Sequence, residues 1–174
     1  MQAVFDRARA LKLVVFDVDG VLTDGKLYLS DSGEEIKAFN TLDGHGLKML
    51  HASGVELAII TGRKSRLVEL RAANLGISLL FQGVSDKLTA FRELLGQLGL
   101  QTEQAAFMGD DLVDLPPMRR AGLAIAVPAA PELVKQHSHY ITERNGGEGA
   151  VREVCELIMR AQGSFDAQVA RYLE

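Results

Sequence analysis

The 174-residue chain has a single cysteine, Cys155, so no intramolecular disulfide can form, and a reducing compartment suits it. Cys155 falls in the apolar pattern of a late helix, where a small buried hydrophobe belongs. No apolar run approaches the roughly 20 residues needed to cross a bilayer. The N-terminal stretch MQAVFDRARALK is interrupted by Asp6, Arg7 and Arg9 and lacks the apolar centre of a signal peptide. The expectation is a cytoplasmic protein without a membrane partner. A basic block is also missing. The 19 Lys and Arg are scattered through a chain of net charge -4 and pI near 5.6, which argues against nucleic acid as a partner. A small anionic substrate needs only local positive charge. There is no Cys and His cluster to hold zinc, no internal repeat and no low-complexity segment.

What is present is a composition for one core. At 47% hydrophobic the chain is long enough for one sizeable domain, read here as spanning 1–174, and too short for two. It is organised around KLVVFDVDGVLTD, residues 12–24. The run from Leu13 to Phe16 has the pattern of a strand buried on both faces. Asp17 and Asp19 follow it directly, and Gly20 lets the chain turn so that both carboxylates stay at the strand's end. Two carboxylates this close repel unless a cation or a shared proton separates them.

Strands and helices then alternate. After a short helix over 3–10 and the first strand, residues 26–29 and 35–39 read as a hairpin around Ser30-Asp31-Ser32-Gly33, inserted at about 25–40. A helix over 44–52 has Leu47 and Leu50 inward, with Asp43 as its cap and Gly54 after it. A strand over 55–60 precedes a helix from Ser65 to Ala73, with Leu67, Leu70 and Leu75 at helical spacing and Gly76 as stop. Strands over 79–81, 105–108, 123–127 and 140–141 alternate with helices over 86–98, 117–120, 131–136 and 149–161, and a tail runs over 163–174. This alternation predicts an α/β fold, a doubly wound parallel sheet, with its chemistry at the strands' C-terminal ends.

Those ends carry an ordered polar set. The first strand ends in Asp17 and Asp19, the second in Thr61-Gly62-Arg63, and the fourth in Gly109-Asp110-Asp111 with Asp114 shortly after, while Lys87 opens a helix between them. Each element alone is weak, since acidic pairs sit in solvated turns and single lysines on surfaces. Together, in register with strand ends, they are specific. Carboxylates, carbonyls and water suit Mg²⁺, with Asp17, Asp19 and Asp110 as the metal residues. Asp17 is the candidate nucleophile, forming an aspartyl-phosphate. Asp19 is placed to protonate the leaving alkoxide and then activate water. Thr61 can hold phosphoryl oxygens, Lys87 can stabilise transition-state charge, and Asp111 can contact metal water or substrate. Asp114 either orients Lys87 from behind or merely starts a helix.

DVDGVLTDG, TGR, Lys87 and GDDLVD resemble the four motifs of the haloacid dehalogenase superfamily over nearly the whole chain. The resemblance implies a Rossmann-like core without a cap domain, because Asp17 to Thr61 holds little beyond the hairpin and one helix. The stretch from DGVLTDGKLYLSD to DGHGLKML, with ITGRKS and GGEGAVREV, is similar to the family of 3-deoxy-D-manno-octulosonate 8-phosphate phosphatases of lipopolysaccharide biosynthesis. Related chains act on nine-carbon sugar-acid phosphates, which is the alternative substrate. The family resemblance implies a homotetramer whose hairpins form a central barrel and whose sites are completed by a neighbour. It also implies substrate contacts at Asp19, Asn40, Thr41, Leu42, Asp43, Gly44, Lys48, Arg63, Arg71, Lys87 and Asp111. Lys48 stands where arginine is common, Thr41-Leu42 where Val-Arg is usual, Asp111 where asparagine is frequent, and His45, read as a solvated helix residue, where an aromatic is common. GGEGAVREV reads as an anion-binding turn or as a loop at a helix start. The tail either reaches a neighbouring site or is disordered. From another class, a receiver-type signalling module also combines Asp, Thr, Lys and Mg²⁺. It places its phospho-acceptor on a later strand, and Asp19 beside the nucleophile predicts turnover here. A scaffold that keeps the assembly but not the activity is the third reading.

Overall fold

The computed structural model describes residues 1–170, 172 and 173; positions 171 and 174, within the expected tail, lie outside the described residues. Helix α1 (Gln2–Arg9) leads into β1 (Leu13–Phe16), and a small hairpin, β2 (Tyr28–Leu29) and β3 (Glu35–Ile36), comes before α2 (Thr41–Ala52). Next come β4 (Glu56–Ile60), α3 (Arg66–Leu75), β5 (Leu79–Phe81), α4 (Lys87–Leu98) and β6 (Ala105–Gly109). The chain ends through α5 (Leu115–Met118), β7 (Leu123–Ala126), α6 (Glu132–Gln136), β8 (Tyr140–Ile141), α7 (Ala150–Ala161) and α8 (Phe165–Ala170).

Six strands form one parallel sheet in the order β5-β4-β1-β6-β7-β8. Helix α2 packs against α7 and α3 on one face, and α4 against α5 on the other. Both faces of the central strands are therefore covered, and β1, β6 and β7 are buried at every position. Phe16, Phe91 and Phe107 are fully buried, and the last two meet edge to face with centroids 5.8 Å apart. The chain winds from β1 outward through β4 and β5, then returns to β6 and winds the other way. The strand order thus reverses between β1 and β6, where open α/β sheets leave a crevice at the carboxyl edge. Phe16 pairs with Ile59 and with Met108, so these three strands end level, with Asp17, Thr61 and Asp110 just beyond them.

Several elements differ from the sequence reading for local reasons. Helix α2 starts at Thr41, and its cap is Asn40, whose Oδ1 accepts from the Leu42 and Asp43 N–H groups at 2.8 and 3.3 Å. Asp43 is a buried residue inside the helix. The poor helix formers Gly44 and Gly46 pushed the expected start too late. A Cβ at Gly46 would crowd the backbone and side chain of Arg152 in α7, and one at Gly44 would displace the end of the Arg71 side chain. In α3 the buried stripe is Val68, Ala72 and Leu75, while Leu70 is exposed. Helix α5 begins at Leu115 with both prolines in its first turn, where a missing N–H costs nothing. The hairpin strands are only two residues each, and part of the tail forms α8 against α7, with the Arg160 guanidinium 3.7 Å from the Phe165 ring centroid. His45 is not simply solvated: its Nε2 lies 2.8 Å from the Tyr172 hydroxyl and its Nδ1 3.1 Å from Arg152 Nη1.

Two glycine sites shape the loop after β1. Gly20 has φ +89, a conformation that L side chains rarely adopt, and a Cβ there would strike the Asp110 carboxylate. Gly146, from the late glycine-rich loop, packs so closely that a Cβ would strike the Gly20 carbonyl, and the Gly147 N–H donates to the Val21 carbonyl at 3.1 Å. That loop is thus a backbone brace for the aspartate loop. Gly146→Ala is expected to lower unfolding free energy in urea by about 1–3 kcal/mol. Gly96→Ala, on an exposed helical face with nothing within 4 Å of its Cβ, is expected to raise it by about 0.5–1 kcal/mol. Equal effects of the two substitutions would refute the brace.

Candidate active site

The Asp17 N–H donates to the Met108 carbonyl at 3.0 Å, carrying the β1–β6 ladder one residue past the strand and fixing where the side chain emerges. The Val18 carbonyl accepts from the N–H groups of Val21, Leu22 and Thr23, winding the next residues into a tight turn. Thr23 locks that turn, its hydroxyl accepting from the Gly20 and Gly25 N–H groups at 3.3 and 3.2 Å. In the turn that follows β6, Asp114 is wholly buried. Its Oδ2 accepts from the Asp110 and Asp111 N–H groups at 3.0 and 3.2 Å, and its Oδ1 from Lys87 Nζ at 2.7 Å. Lys87 is the first residue of α4, held there by the Asp86 cap, and its Nζ also lies 2.9 Å from Asp17 Oδ2. Asp114 therefore both starts a turn and orients Lys87.

These residues surround a cavity of about 470 Å³ at the crevice between β1 and β6. Asp17, Asp19, Thr61, Arg63, Lys87, Asp110 and Asp111 all line it. Thr61 lines the cavity, and with its N–H taken by the Phe81 carbonyl at 2.9 Å its hydroxyl is the donor it has left. The other positions implied by resemblance do not line it. Asn40, Thr41, Leu42, Asp43, Gly44 and Lys48 belong to α2 and its cap. Arg71 Nη2 donates to the Asn40 carbonyl at 3.0 Å and its guanidinium covers the Phe39 ring. The Asp43 carboxylate accepts from the Arg152 N–H at 2.8 Å and so serves the start of α7. A second cavity of similar volume, between Tyr140 and Arg152, holds none of the strand-end residues.

The cavity floor has excess negative charge. Asp17, Asp110 and Asp114 bring carboxylate oxygens within 4.8 Å of one another, with Lys87 the only cation that touches them among the described residues. Burial and the Asp114 charge push the Asp17 carboxyl up to about 6, against the pull of Lys87. Burial and its three acidic neighbours push Asp110 up to about 7. Burial alone would depress Lys87, but Asp17 and Asp114 outweigh it and raise its pKa. A hard cation fits this donor set: Asp114 has both oxygens engaged, so Asp17 and Asp110 are the carboxylates open to a metal. The Asp19 carboxylate points away from the cluster. Its Oδ1 lies 2.5 Å from Lys37 Nζ and its Oδ2 4.0 Å from Arg63 Nη1, so its main-chain carbonyl is what it has left to offer a cation. Cys155 is inert here, its thiol buried and its pKa raised by desolvation.

Sequence reasoning missed Glu35, Lys37 and Thr23. Glu35 and Lys37 are two apart on a strand and its extension, so they face the same side, and that period of two was the available signal.

The raised carboxyls tie stability to pH. Asp110 titrates at 3.8 when unfolded and about 7 when folded, so between these values the native chain holds more protons than the unfolded one. Stability contributed by this group therefore falls as pH rises through that window. With EDTA present, Asp110→Asn is expected to gain in Tm relative to the parent as pH goes from 4.5 to 7.5, and Mg²⁺ is expected to stabilise the parent more at the higher pH. A Tm difference independent of pH would refute the assignment.

The haloacid dehalogenase-like hydrolase family matches residues 79–154. The 3-deoxy-D-manno-octulosonate 8-phosphate phosphatase KdsC of Yersinia pestis is 50% identical over 94% of this chain and 87% of its own length. Among solved structures, a probable YrbI family phosphatase from Pseudomonas syringae pv. phaseolica is 57% identical with a TM-score of 0.99, covering 100% of this chain and 99% of that one. The 3-deoxy-D-manno-octulosonate 8-phosphate phosphatase of Moraxella catarrhalis, in complex with magnesium ion, phosphate ion and KDO, is 49% identical with a TM-score of 0.97 over 99% of each chain. With half of the residues identical to KdsC along 94% of the chain and solved structures of the same fold at TM-scores of 0.97 and 0.99, the chain belongs to the 3-deoxy-D-manno-octulosonate 8-phosphate phosphatase family of haloacid dehalogenase-like hydrolases.

Proposed function

We propose that the chain hydrolyses 3-deoxy-D-manno-octulosonate 8-phosphate to the free sugar acid and phosphate in the cytoplasm, with Mg²⁺, in lipopolysaccharide synthesis. The observation that carries this reading is the cavity itself. It has a carboxylate cluster with Lys87 on its floor, where a phosphoryl group would sit, and Arg63 at its side for a sugar acid. Asp17 attacks phosphorus as the carboxylate, the bond from phosphorus to the sugar oxygen breaks, and Asp19 gives the leaving oxygen its proton. Asp19 then takes a proton from the water that attacks the phospho-Asp17 phosphorus, and phosphate leaves. Lys87 and the Thr61 hydroxyl hold the phosphoryl oxygens through both steps. Mg²⁺, held by Asp17, Asp110 and the Asp19 carbonyl, would supply charge neutralisation between nucleophile and phosphate. With Asp17 titrating at about 6, the nucleophile is ionised at neutral pH.

The test is phosphate release from 3-deoxy-D-manno-octulosonate 8-phosphate beside hexose and nine-carbon sugar-acid phosphates. The octulosonate is expected to be preferred, with activity abolished by EDTA and reduced about a thousandfold or more by Asp17→Asn. Equal rates on the nine-carbon acid would move the substrate and point to Lys48 and Leu42. No release from any of them would refute the phosphatase.

A homotetramer completes this reading. The hairpin exposes Leu27, Tyr28, Leu29 and Ile36, each more than 40% accessible, on two short strands with free edges. Thr41, Leu42 and Lys48 are exposed on α2 and do not line their own chain's cavity, as expected of residues serving a neighbour. Light scattering is expected to give four times the 18.9 kDa of one chain. Leu29→Asp with Ile36→Asp is expected to dissociate it and lower kcat/KM together. A fully active monomer would refute both parts.

A further inference from the structure

Glu35 in β3 and Lys37 just past it are two charges that the phosphoryl chemistry does not use, and both are paired with residues that line the cavity, Asp19 and Arg63. Lys37 Nζ lies 2.5 Å from Asp19 Oδ1 and 3.3 Å from Glu35 Oε1. Arg63 Nη2 lies 2.7 Å from the same Glu35 oxygen, and Arg63 Nη1 lies 4.0 Å from Asp19 Oδ2. Four charges of alternating sign thus close into a ring: Asp19, Lys37, Glu35, Arg63. The Lys37 side chain is only 2% exposed, so its ammonium depends on these two carboxylates. Glu35 is the member set between two cations, one a point charge and the other a planar fork.

A carboxylate between an ammonium and a guanidinium, beside a phosphoryl site, is what a sugar acid would itself present there. We propose that Glu35 is the free enzyme's substitute for the substrate carboxylate, and that Lys37 and Arg63 receive that carboxylate when Glu35 is displaced. The inference rests on the reading of the substrate as a sugar-acid phosphate. It makes Glu35 and Lys37 residues that determine specificity. An acid replaces Glu35 charge for charge and draws Lys37 off Asp19. A neutral sugar phosphate has nothing to exchange, and the ring stays closed.

The experiment measures kcat and KM for 3-deoxy-D-manno-octulosonate 8-phosphate and for mannose 6-phosphate in the parent, Glu35→Gln and Lys37→Gln, with binding of free 3-deoxy-D-manno-octulosonate followed by calorimetry. Removing the competing anion in Glu35→Gln is expected to raise the acid-over-neutral ratio of kcat/KM about tenfold, through KM, and to tighten binding of the free acid. Removing the receiving cation in Lys37→Gln is expected to lower that ratio about tenfold and to weaken binding. The two variants must move in opposite directions, which a merely structural role or partial misfolding would not produce. A parent that prefers the acid, with a ratio unmoved in both variants, overturns this inference alone. A parent without preference for the acid overturns the substrate reading and this inference with it.

Discussion

The site depends on mutual repulsion among three closely set carboxylates, Asp17 and Asp114 buried and Asp110 half-buried. Asp17, Asp110 and Asp114 emerge from the only place in the sheet where the strand order reverses, within 4.8 Å of one another, and the ammonium of Lys87 touches two of them. Burying one cation against three anions is unfavourable for folding, and the raised carboxyls of Asp17 and Asp110 record that cost. Such an arrangement persists only if the backbone beneath it is over-determined. The ladder bond from Asp17 to Met108, the Thr23 hydroxyl across the turn and the Gly146 brace supply that rigidity. A second positive centre placed among the carboxylates would relieve the repulsion, so the cluster suits a divalent cation.

Above this floor lies a second electrostatic system of opposite character. The Asp19, Lys37, Glu35 and Arg63 ring is neutral, partly exposed at Arg63 and carried largely by the hairpin connection, not by strand ends. Its members satisfy one another in the free chain, whereas the floor cannot satisfy itself. The two systems meet in the Asp17–Gly20 loop, where Asp17 faces the floor and Asp19 faces the ring. One tight turn therefore couples the carboxylate cluster to the ring.

Much of this was legible in the sequence because strand ends are legible. A four-residue apolar run bounded by Asp and Gly can hardly be anything but a buried parallel strand, and the residues just beyond such a strand belong at the sheet's carboxyl edge. The paired carboxylates, Thr61, Lys87 and Asp110 came from that logic, and the structure brings them around one cavity. The failures are equally physical. Asp43 was read as the cap of its own helix; it caps a helix all the same, but the one is α7, reached through tertiary packing that periodicity does not encode. Gly44 and Gly46 looked like a helix start because their intrinsic propensity is poor, and close helix packing overrode it. Glu35 and Lys37 were invisible as site residues because a hairpin strand with alternating charge reads as a solvated edge until its folding direction is known.

The division between the floor and the ring has a consequence for how such a site can change its substrate. Lys87 bridges Asp17 and Asp114, so altering it disturbs Asp17 directly. Lys37 and Glu35 touch Asp19 and Arg63 but neither Asp17 nor Asp110, so a change there leaves the contact of Asp17 with Lys87 in place. Arg63 lies on the loop after β4 and answers to both the hairpin and the cavity wall. On the proposed exchange of carboxylates, selectivity for one acid over another has its seat in the short segment from Glu35 to Lys37, which lies in and just past a two-residue strand pair. A scaffold that holds the reacting atoms on buried strand ends and the discriminating charges on a marginal hairpin can vary the second without unfolding the first.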